Sequence, residues 1–190
     1  MSVKSILLAG VGGQGIVRAS DIISMALMAA GYDVKKSEVH GMAQRGGCVT
    51  SHVRYGEKVY SPISRKGEID IMVSFEKMET LRYLDYMKKE GGVIINDEEI
   101  YPPSVNLGRE DYPAQVEEIV RKFFNTVKIL KATEIAQKVG NFRTANSVMI
   151  GALSPFLDVE MGVWDKVFSQ SFPEKLVKVN LEAFQIGRNA

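Results

Sequence analysis

Two short stretches concentrate residue types able to do chemistry. The first is GVGGQG, Gly10 to Gly15, set between an apolar run and a helical pattern. Gly10, Gly12 and Gly15 fit GxGxxG. Glycines at this spacing allow a tight turn and bring backbone N–H groups close to a phosphate. The helix that follows adds unpaired N–H groups and partial positive charge, worth about 0.3–1 kcal/mol to an exposed anion. The second stretch is EVHGMAQRGG, Glu38 to Gly47. Here Glu38, His40, Gln44 and Arg45 lie within eight positions and two glycines close the block. His40 is a candidate proton carrier. Arg45 offers a bidentate fork for a carboxylate or phosphate. Gln44 both donates and accepts.

The glycine motif leaves two readings open. A dinucleotide fingerprint needs an acid about 20 positions further on, at the end of the second strand. Glu38 qualifies by spacing, but Lys35 and Lys36 share its strand and no crossover helix follows. The other reading is a turn whose glycines serve close helix–strand packing. A stand-alone NAD- or FAD-binding protein is therefore one alternative. The second block has its own plain reading, a solvated loop whose His and Arg meet backbone carbonyls. Two histidines without a third ligand make no metal site. His52 shares a strand face with Thr50 and Arg54 and reads as a surface residue. Cys48 has no partner base implied by spacing and reads as a small buried residue.

The elements that must position these stretches follow from periodicity. Val3 to Ala9 is a buried strand. Ile16, Ala19, Ile22, Ile23, Ala26, Leu27 and Ala30 recur at helical spacing, and Gly31 ends that helix. Asp33 to Val39 predicts a second strand. The opening is thus a Rossmann-like βαβ unit. CVTSHVRYGEKVYSPI predicts a hairpin turning at Tyr55 to Lys58, which makes the sheet mixed. Strands follow at Ile69 to Phe75, in GGVIIND and at Val127 to Leu130. Helices are predicted at Lys77 to Lys89 and from Pro113 to about Phe124. Glu98 to Tyr112, with adjacent prolines, reads as an irregular excursion. The C-terminal region is helical, in pieces near Thr133 to Val139, Thr144 to Phe156, Val163 to Ser169 and Pro173 to Gly187. The expectation is one α/β domain spanning residues 1–190, three-layered around a mixed sheet.

Composition excludes several classes. Lys+Arg 24 against Asp+Glu 23 gives a charge of +1, with no electrostatic footprint for a long nucleic acid. No apolar run is long enough to span a bilayer, and the N-terminal run does not read as a secretory signal. Cys48 is the sole cysteine, so no cysteine set here can hold a cluster or structural zinc. A reducing cytoplasm fits that usage.

Taken together, GVGGQG, a helix, and SEVHGMAQRGGCVTSHVRYG closely resemble the gamma-type subunit or domain of the 2-oxoacid:ferredoxin oxidoreductases. The indolepyruvate branch matches best, in chain length as well as pattern. NSVMIGAL, Asn146 to Leu153, and VNLEAFQIG near the C-terminus resemble further segments of the family. The resemblance covers nearly the whole chain, though Glu98 to Leu130 adds little. It implies an enzyme that oxidatively decarboxylates a 2-oxoacid, transfers the acyl group to coenzyme A and reduces ferredoxin. Substrates of the indolepyruvate branch are arylpyruvates; related subunits serve pyruvate, 2-oxoglutarate or branched-chain acids. It also implies a division of labour. This chain lacks the thiamine diphosphate motif, so thiamine diphosphate and the iron–sulfur (4Fe–4S) clusters belong to a large alpha subunit, and this chain is an accessory subunit inactive alone. Gly12, Gly13, Gln14 and Gly15 match the family's glycine loop, a candidate contact for coenzyme A. Glu38, His40, Gly41, Met42, Gln44, Arg45, Gly46 and Gly47 match its second block. Of these Glu38, His40, Met42, Gln44 and Arg45 are candidates for a subunit interface or active-site edge. No residue is assigned a catalytic role.

Overall fold

The computed structural model describes residues 2–41 and 47–190. Its centre is one six-stranded sheet, formed by β1 (Lys4–Val11), β2 (Asp33–His40), β3 (Cys48–Gly56), β4 (Ile69–Ser74), β5 (Met87–Asn96) and β6 (Thr126–Leu130). The spatial order is β2-β3-β1-β4-β5-β6. β1, β4, β5 and β6 pair in parallel, whereas β3 is antiparallel to both β1 and β2. The sheet is therefore mixed, as expected. The opening βαβ unit is present with one change. β3 inserts between β1 and β2, so the two strands joined by the first helix are not neighbours.

Eight helices cover the described sheet: α1 (Ile16–Ala29), α2 (Lys77–Arg82), α3 (Pro103–Asn106), α4 (Val116–Phe123), α5 (Ala132–Lys138), α6 (Ala145–Leu153), α7 (Met161–Ser171) and α8 (Glu174–Asn189). Buried side chains of α1 and α5 to α8 pack on one face with Ile6, Leu8, Val53 and Val73. The other face carries a smaller cluster of Leu7, Met72, Val93 and Ile95 under α2 and α4. Strand alternation produces both layers: Ile6 and Leu8 point one way and Leu7 the other. Each such fully buried side chain contributes about 1.5–3 kcal/mol.

Helices α6 and α8 touch backbone to backbone. A Cβ on Gly187 would lie 1.9 Å from the Val148 carbonyl oxygen, and one on Gly151 2.0 Å from that of Phe184. Ser147 Oγ donates to Asn180 Oδ1 at 2.7 Å in the same contact. The two glycines thus fix α6, which carries Asn146 to the end of the sheet.

Three expectations are corrected. The hairpin predicted to turn at Tyr55 to Lys58 does not form: its first arm is β3, which pairs with β1 and β2 instead. Residues 57–68 form a loop instead of a second arm, because Arg54 Nη1 donates to the Ser61 and Ile63 carbonyls, both at 3.1 Å. The helix predicted over Lys77 to Lys89 stops at Arg82. A 3₁₀ turn, Leu84–Tyr86, follows, and Met87 then pairs with Ile69 as the first residue of β5. Burial of Met87 against the sheet overrides the helical preference of its neighbours. Finally, His52 is buried at 6% exposure, not a surface residue. The 3₁₀ turn brings Tyr86 over it, with ring centroids 6.1 Å apart. Burial, then the charge of Arg54, lowers its pKa.

Candidate functional site

The glycine loop sits where β1 ends, at the carboxyl edge of the parallel strands. In open α/β sheets this edge is where ligands bind. Its shape is held by one side chain. Gln14 Oε1 accepts from Val11 N at 2.8 Å, and Gln14 Nε2 donates to the Phe75 carbonyl at 2.8 Å. Gln14 therefore ties the end of β1 to the end of β4. Phe75 N donates in turn to the Ala9 carbonyl at 2.8 Å. Gly15 is left-handed (φ 77°) and abuts Asn146, whose Nδ2 donates to the Gly15 carbonyl at 3.2 Å. A Cβ there would stand 2.3 Å from that same nitrogen, so a side chain is excluded twice over.

The neighbouring strand ends join the network. Asn96 Nδ2 donates to the Phe75 carbonyl at 3.2 Å and to Glu98 Oε2 at 2.7 Å. Asn96 Oδ1 accepts from Ala132 N at 2.9 Å, and Thr133 Oγ1 donates to Glu98 Oε2 at 2.8 Å. Around this frame lies a cleft of about 480 Å³, lined by Gly13, Gly15, Glu98, Thr133, Arg143 and Asn146 among others. Helix α1 opens into it with no acidic residue in its first turn and no side-chain cap. Its first N–H groups have no partner within the helix. Arg143 stands on an exposed 3₁₀ turn with its guanidinium 5.7 Å from the Phe142 ring centroid. A Cβ on Gly13 would meet nothing within 4 Å, so a bound group can approach that backbone. The arrangement suits a ligand with an anionic part for the helix start and Arg143, and a donor for Glu98.

Of the sequence candidates, Gly13, Gln14 and Gly15 line this cleft. Gln14 spends its side chain on the brace described above. Gly12 faces the other block: its N–H donates to the Gly47 carbonyl at 2.9 Å. The structure thus joins the two motifs edge to edge. Glu38 stands on β2, with β3 between it and β1. It is held by Lys36 at 2.6 Å and by His40 Nε2 at 3.2 Å. Lys36 keeps its carboxyl below the usual range, desolvation opposing and His40 assisting. Glu38 is therefore absent from the glycine-loop cleft, where a dinucleotide's ribose would need it. The acid that lines the cleft is Glu98. His40 is exposed at the strand end. Met42, Gln44 and Arg45 lie outside the described residues.

Sequence reasoning missed Asn96, Glu98, Thr133, Arg143 and Asn146. Their common signal is position: each lies at or just beyond the predicted end of a strand or the start of a helix. Only Asn146, the first residue of NSVMIGAL, had been singled out, and for resemblance alone.

A second, smaller cleft of about 300 Å³ lies near Gly47, lined by Val11, Cys48, Glu79, Arg82 and Tyr101. Cys48 is half-buried there, more open than its sequence context implied. Burial, followed by the Cys48 thiol, pushes the neighbouring Tyr83 phenol up. Among the described residues no group of three His, Cys, Asp or Glu is placed to hold a metal ion. No helix among them is long and apolar enough to cross a membrane.

Known proteins resemble this chain along its length. A family profile described as "Pyruvate ferredoxin/flavodoxin oxidoreductase" matches residues 5–190. The indolepyruvate oxidoreductase subunit IorB of Thermococcus kodakarensis is 40% identical over 195 residues, covering 100% of this chain and 96% of that protein. Among solved structures, the keto/oxoacid ferredoxin oxidoreductase gamma subunit from Geobacter sulfurreducens superposes with a TM-score of 0.73 at 23% identity, covering 98% of this chain and 96% of that one. The 2-oxoglutarate:ferredoxin oxidoreductase from Magnetococcus marinus, solved with 2-oxoglutarate, coenzyme A and succinyl-CoA bound, gives a TM-score of 0.77 at 22% identity. It covers 100% of this chain and 31% of that much longer one.

Proposed function

The chain belongs to the pyruvate ferredoxin/flavodoxin oxidoreductase family, and from that premise we propose that it is the accessory subunit of a coenzyme A-acylating enzyme that oxidises arylpyruvates. The observation that carries the reading is the glycine-loop cleft. It presents an uncapped helix start and an exposed arginine, while the chain's lone cysteine lies elsewhere. Such a site binds and orients an anionic carrier and does no redox chemistry of its own. The likeness to the indolepyruvate relative, over all of this chain and 96% of that one, supports arylpyruvates over other 2-oxoacids.

In this reading a large alpha subunit carries thiamine diphosphate and iron–sulfur clusters, decarboxylates the 2-oxoacid and passes electrons to ferredoxin. The complex works in the cytoplasm. Coenzyme A, when bound, supplies the thiol that accepts the acyl group. The chain's own residues do the positioning. Backbone N–H groups of Gly13, Gly15 and Ile16 meet a phosphate, while that of Gln14 is held by the Val11 carbonyl at 3.1 Å. Arg143, in the same lining, adds a charged fork. Asn146 holds Gly15 in place, and Glu98 accepts from a hydroxyl or amine of the carrier. The second block, Glu38 to Gly47, faces the partner at the edge of the active site.

Reconstitution tests the proposal. The isolated chain is expected to be inactive, and mixing with the large subunit to give coenzyme A-dependent ferredoxin reduction, fastest with indolepyruvate. In that complex Arg143→Ala should raise KM for coenzyme A about 10-fold, the loss of roughly one charge-assisted hydrogen bond. Arg45→Lys should also weaken coenzyme A binding if its fork is used. Full turnover by the chain alone sinks the subunit reading, and micromolar NAD or FAD binding to it favours a self-contained enzyme. A faster rate with pyruvate, 2-oxoglutarate or a branched-chain acid moves the assignment to a sister branch.

A further inference from the structure

One side chain in the lining of the glycine-loop cleft takes no part in the frame around it. Phe142 lines the cleft and is 63% exposed. A bare phenyl ring forgoes the burial that the core gives Phe168 and Phe184. Tyr60, Tyr101, Phe123 and Phe142 are the exposed aromatic side chains among the described residues, and of these Phe142 is the one in this cleft.

The turn that carries Phe142 is fixed. Asn141 Oδ1 accepts from Arg143 N at 3.1 Å. The Asn141 carbonyl accepts from Thr144 N at 2.9 Å and from Thr144 Oγ1 at 2.8 Å, and Thr144 is fully buried. Asn141 N donates to the Ala136 carbonyl at 3.1 Å, which ties the turn to α5. The backbone of Phe142 is therefore held while its ring stays in the open. The Arg143 guanidinium stands over that ring, 5.7 Å from its centroid. An inorganic phosphate would be served by Arg143 and the helix start, and would leave Phe142 bare. A flat ring next to these anion-binding groups suits a ligand that carries an aromatic base close to its phosphates. Bases stack on aromatic faces by their π-surface and need no hydrogen-bond partner to do so.

We propose that Phe142 is the stacking platform for the adenine base of coenzyme A, and that it makes the cleft prefer a thiol carrier bearing a nucleotide over one without a base. The inference rests on the coenzyme A reading of the cleft and adds to it the residue that recognises the base.

The test uses the reconstituted complex. Phe142→Ala should raise KM for coenzyme A about 5- to 30-fold, the range of one stacked base, and lower kcat far less. Phe142→Trp keeps a flat ring and should restore KM to near the wild-type value. Two competitors separate the base from the phosphates. ADP should lose inhibition against coenzyme A in Phe142→Ala by the same factor, whereas pyrophosphate should inhibit variant and wild type alike. The melting temperature of the free chain should not move, because the ring is exposed. Phe142→Leu, apolar but not flat, should behave as Phe142→Ala and takes its place if that variant does not fold. An unchanged KM for coenzyme A overturns the inference, as does ADP that inhibits the wild type no better than pyrophosphate. Equal loss of ADP and pyrophosphate inhibition shows the ring acting only through Arg143, and overturns it too. These outcomes leave the coenzyme A reading standing. A wild-type complex that turns over without coenzyme A ends that reading and the inference with it.

Discussion

The two clefts flank the meeting point of Gly12 and Gly47 and solve opposite problems. Beside the glycine loop, polar side chains are spent on one another: Gln14, Asn96 and Glu98 lock four chain segments together. What is left facing outward is a helix start and an arginine. Beside Cys48, Glu79 Oε2 is buried with no hydrogen-bond partner among the described residues. The first cleft is a rigid cradle that presents positive charge to a small anion. The second closes over a carboxylate whose Arg82 contact serves one oxygen, Oε1. Rigidity at the first fits a ligand site, while burial at the second is a cost carried by Glu79.

The largest expected effect breaks the cradle from a distance. Gly187→Ala forces a Cβ onto the Val148 carbonyl and pushes α6 away from α8, displacing Asn146 from Gly15. Destabilisation on the order of 3 kcal/mol is expected, read by urea denaturation of the free chain. Gly162→Ala is the control. A Cβ there meets nothing within 4 Å, and α7 should gain up to about 1 kcal/mol. Equal effects at the two glycines remove the argument that α6 is positioned by close contact.

The second contrast sets two buried acids, Glu76 and Glu79, against each other. Glu76→Gln turns an amide donor toward groups that themselves donate, and should cost about 2–3 kcal/mol. Glu79→Gln should be neutral or stabilising near pH 7. The sign follows from linkage. A raised folded-state pKa means the folded chain binds more protons than the unfolded chain above pH 4.5. Stability contributed by Glu79 is present below that value and falls as pH rises through the folded pKa. The advantage of Glu79→Gln over wild type should therefore grow from pH 4 to pH 8 in thermal melts. An advantage that shrinks with pH shows that the carboxylate is satisfied.

Next comes the brace. Gln14→Ala removes two hydrogen bonds from the loop and should cost about 1–3 kcal/mol. It should also raise KM for coenzyme A in the reconstituted complex more than it lowers kcat. A stability loss with unchanged KM reduces the loop to packing.

These contrasts mark where the sequence was readable. Ile16 to Ala30 announced α1 by period, and its glycine turn announced what precedes it, because both signals are local. Asn146 and Gly15 are 131 positions apart, and no local pattern pairs them. The same holds for Glu98, which took the place in the cleft that spacing offered to Glu38. The inserted strand β3 made that exchange, and strand order is a long-range property. Met87 shows the reverse failure: a helical stretch by composition, drawn into β5 by its pairing with Ile69. His52 was misplaced for a related reason, since alternation shows which face it takes but not that Tyr86 covers that face.

The smallest expected effect bears on the second block itself. His40 has a side chain 59% exposed, and its contact with Glu38 at 3.2 Å is backed by a shorter Glu38–Lys36 pair at 2.6 Å. Removing an exposed partner from such a pair costs at most about 1 kcal/mol. His40→Ala should therefore leave the free chain's melting temperature nearly unchanged. Any fall in turnover of the reconstituted complex must then arise across the subunit boundary, through lost contact with the partner or substrate, because the fold has absorbed nothing. Turnover equal to wild type would strip His40 of a site role and leave the backbone of Gly47, which accepts from Gly12 N, as the part of the described block that matters.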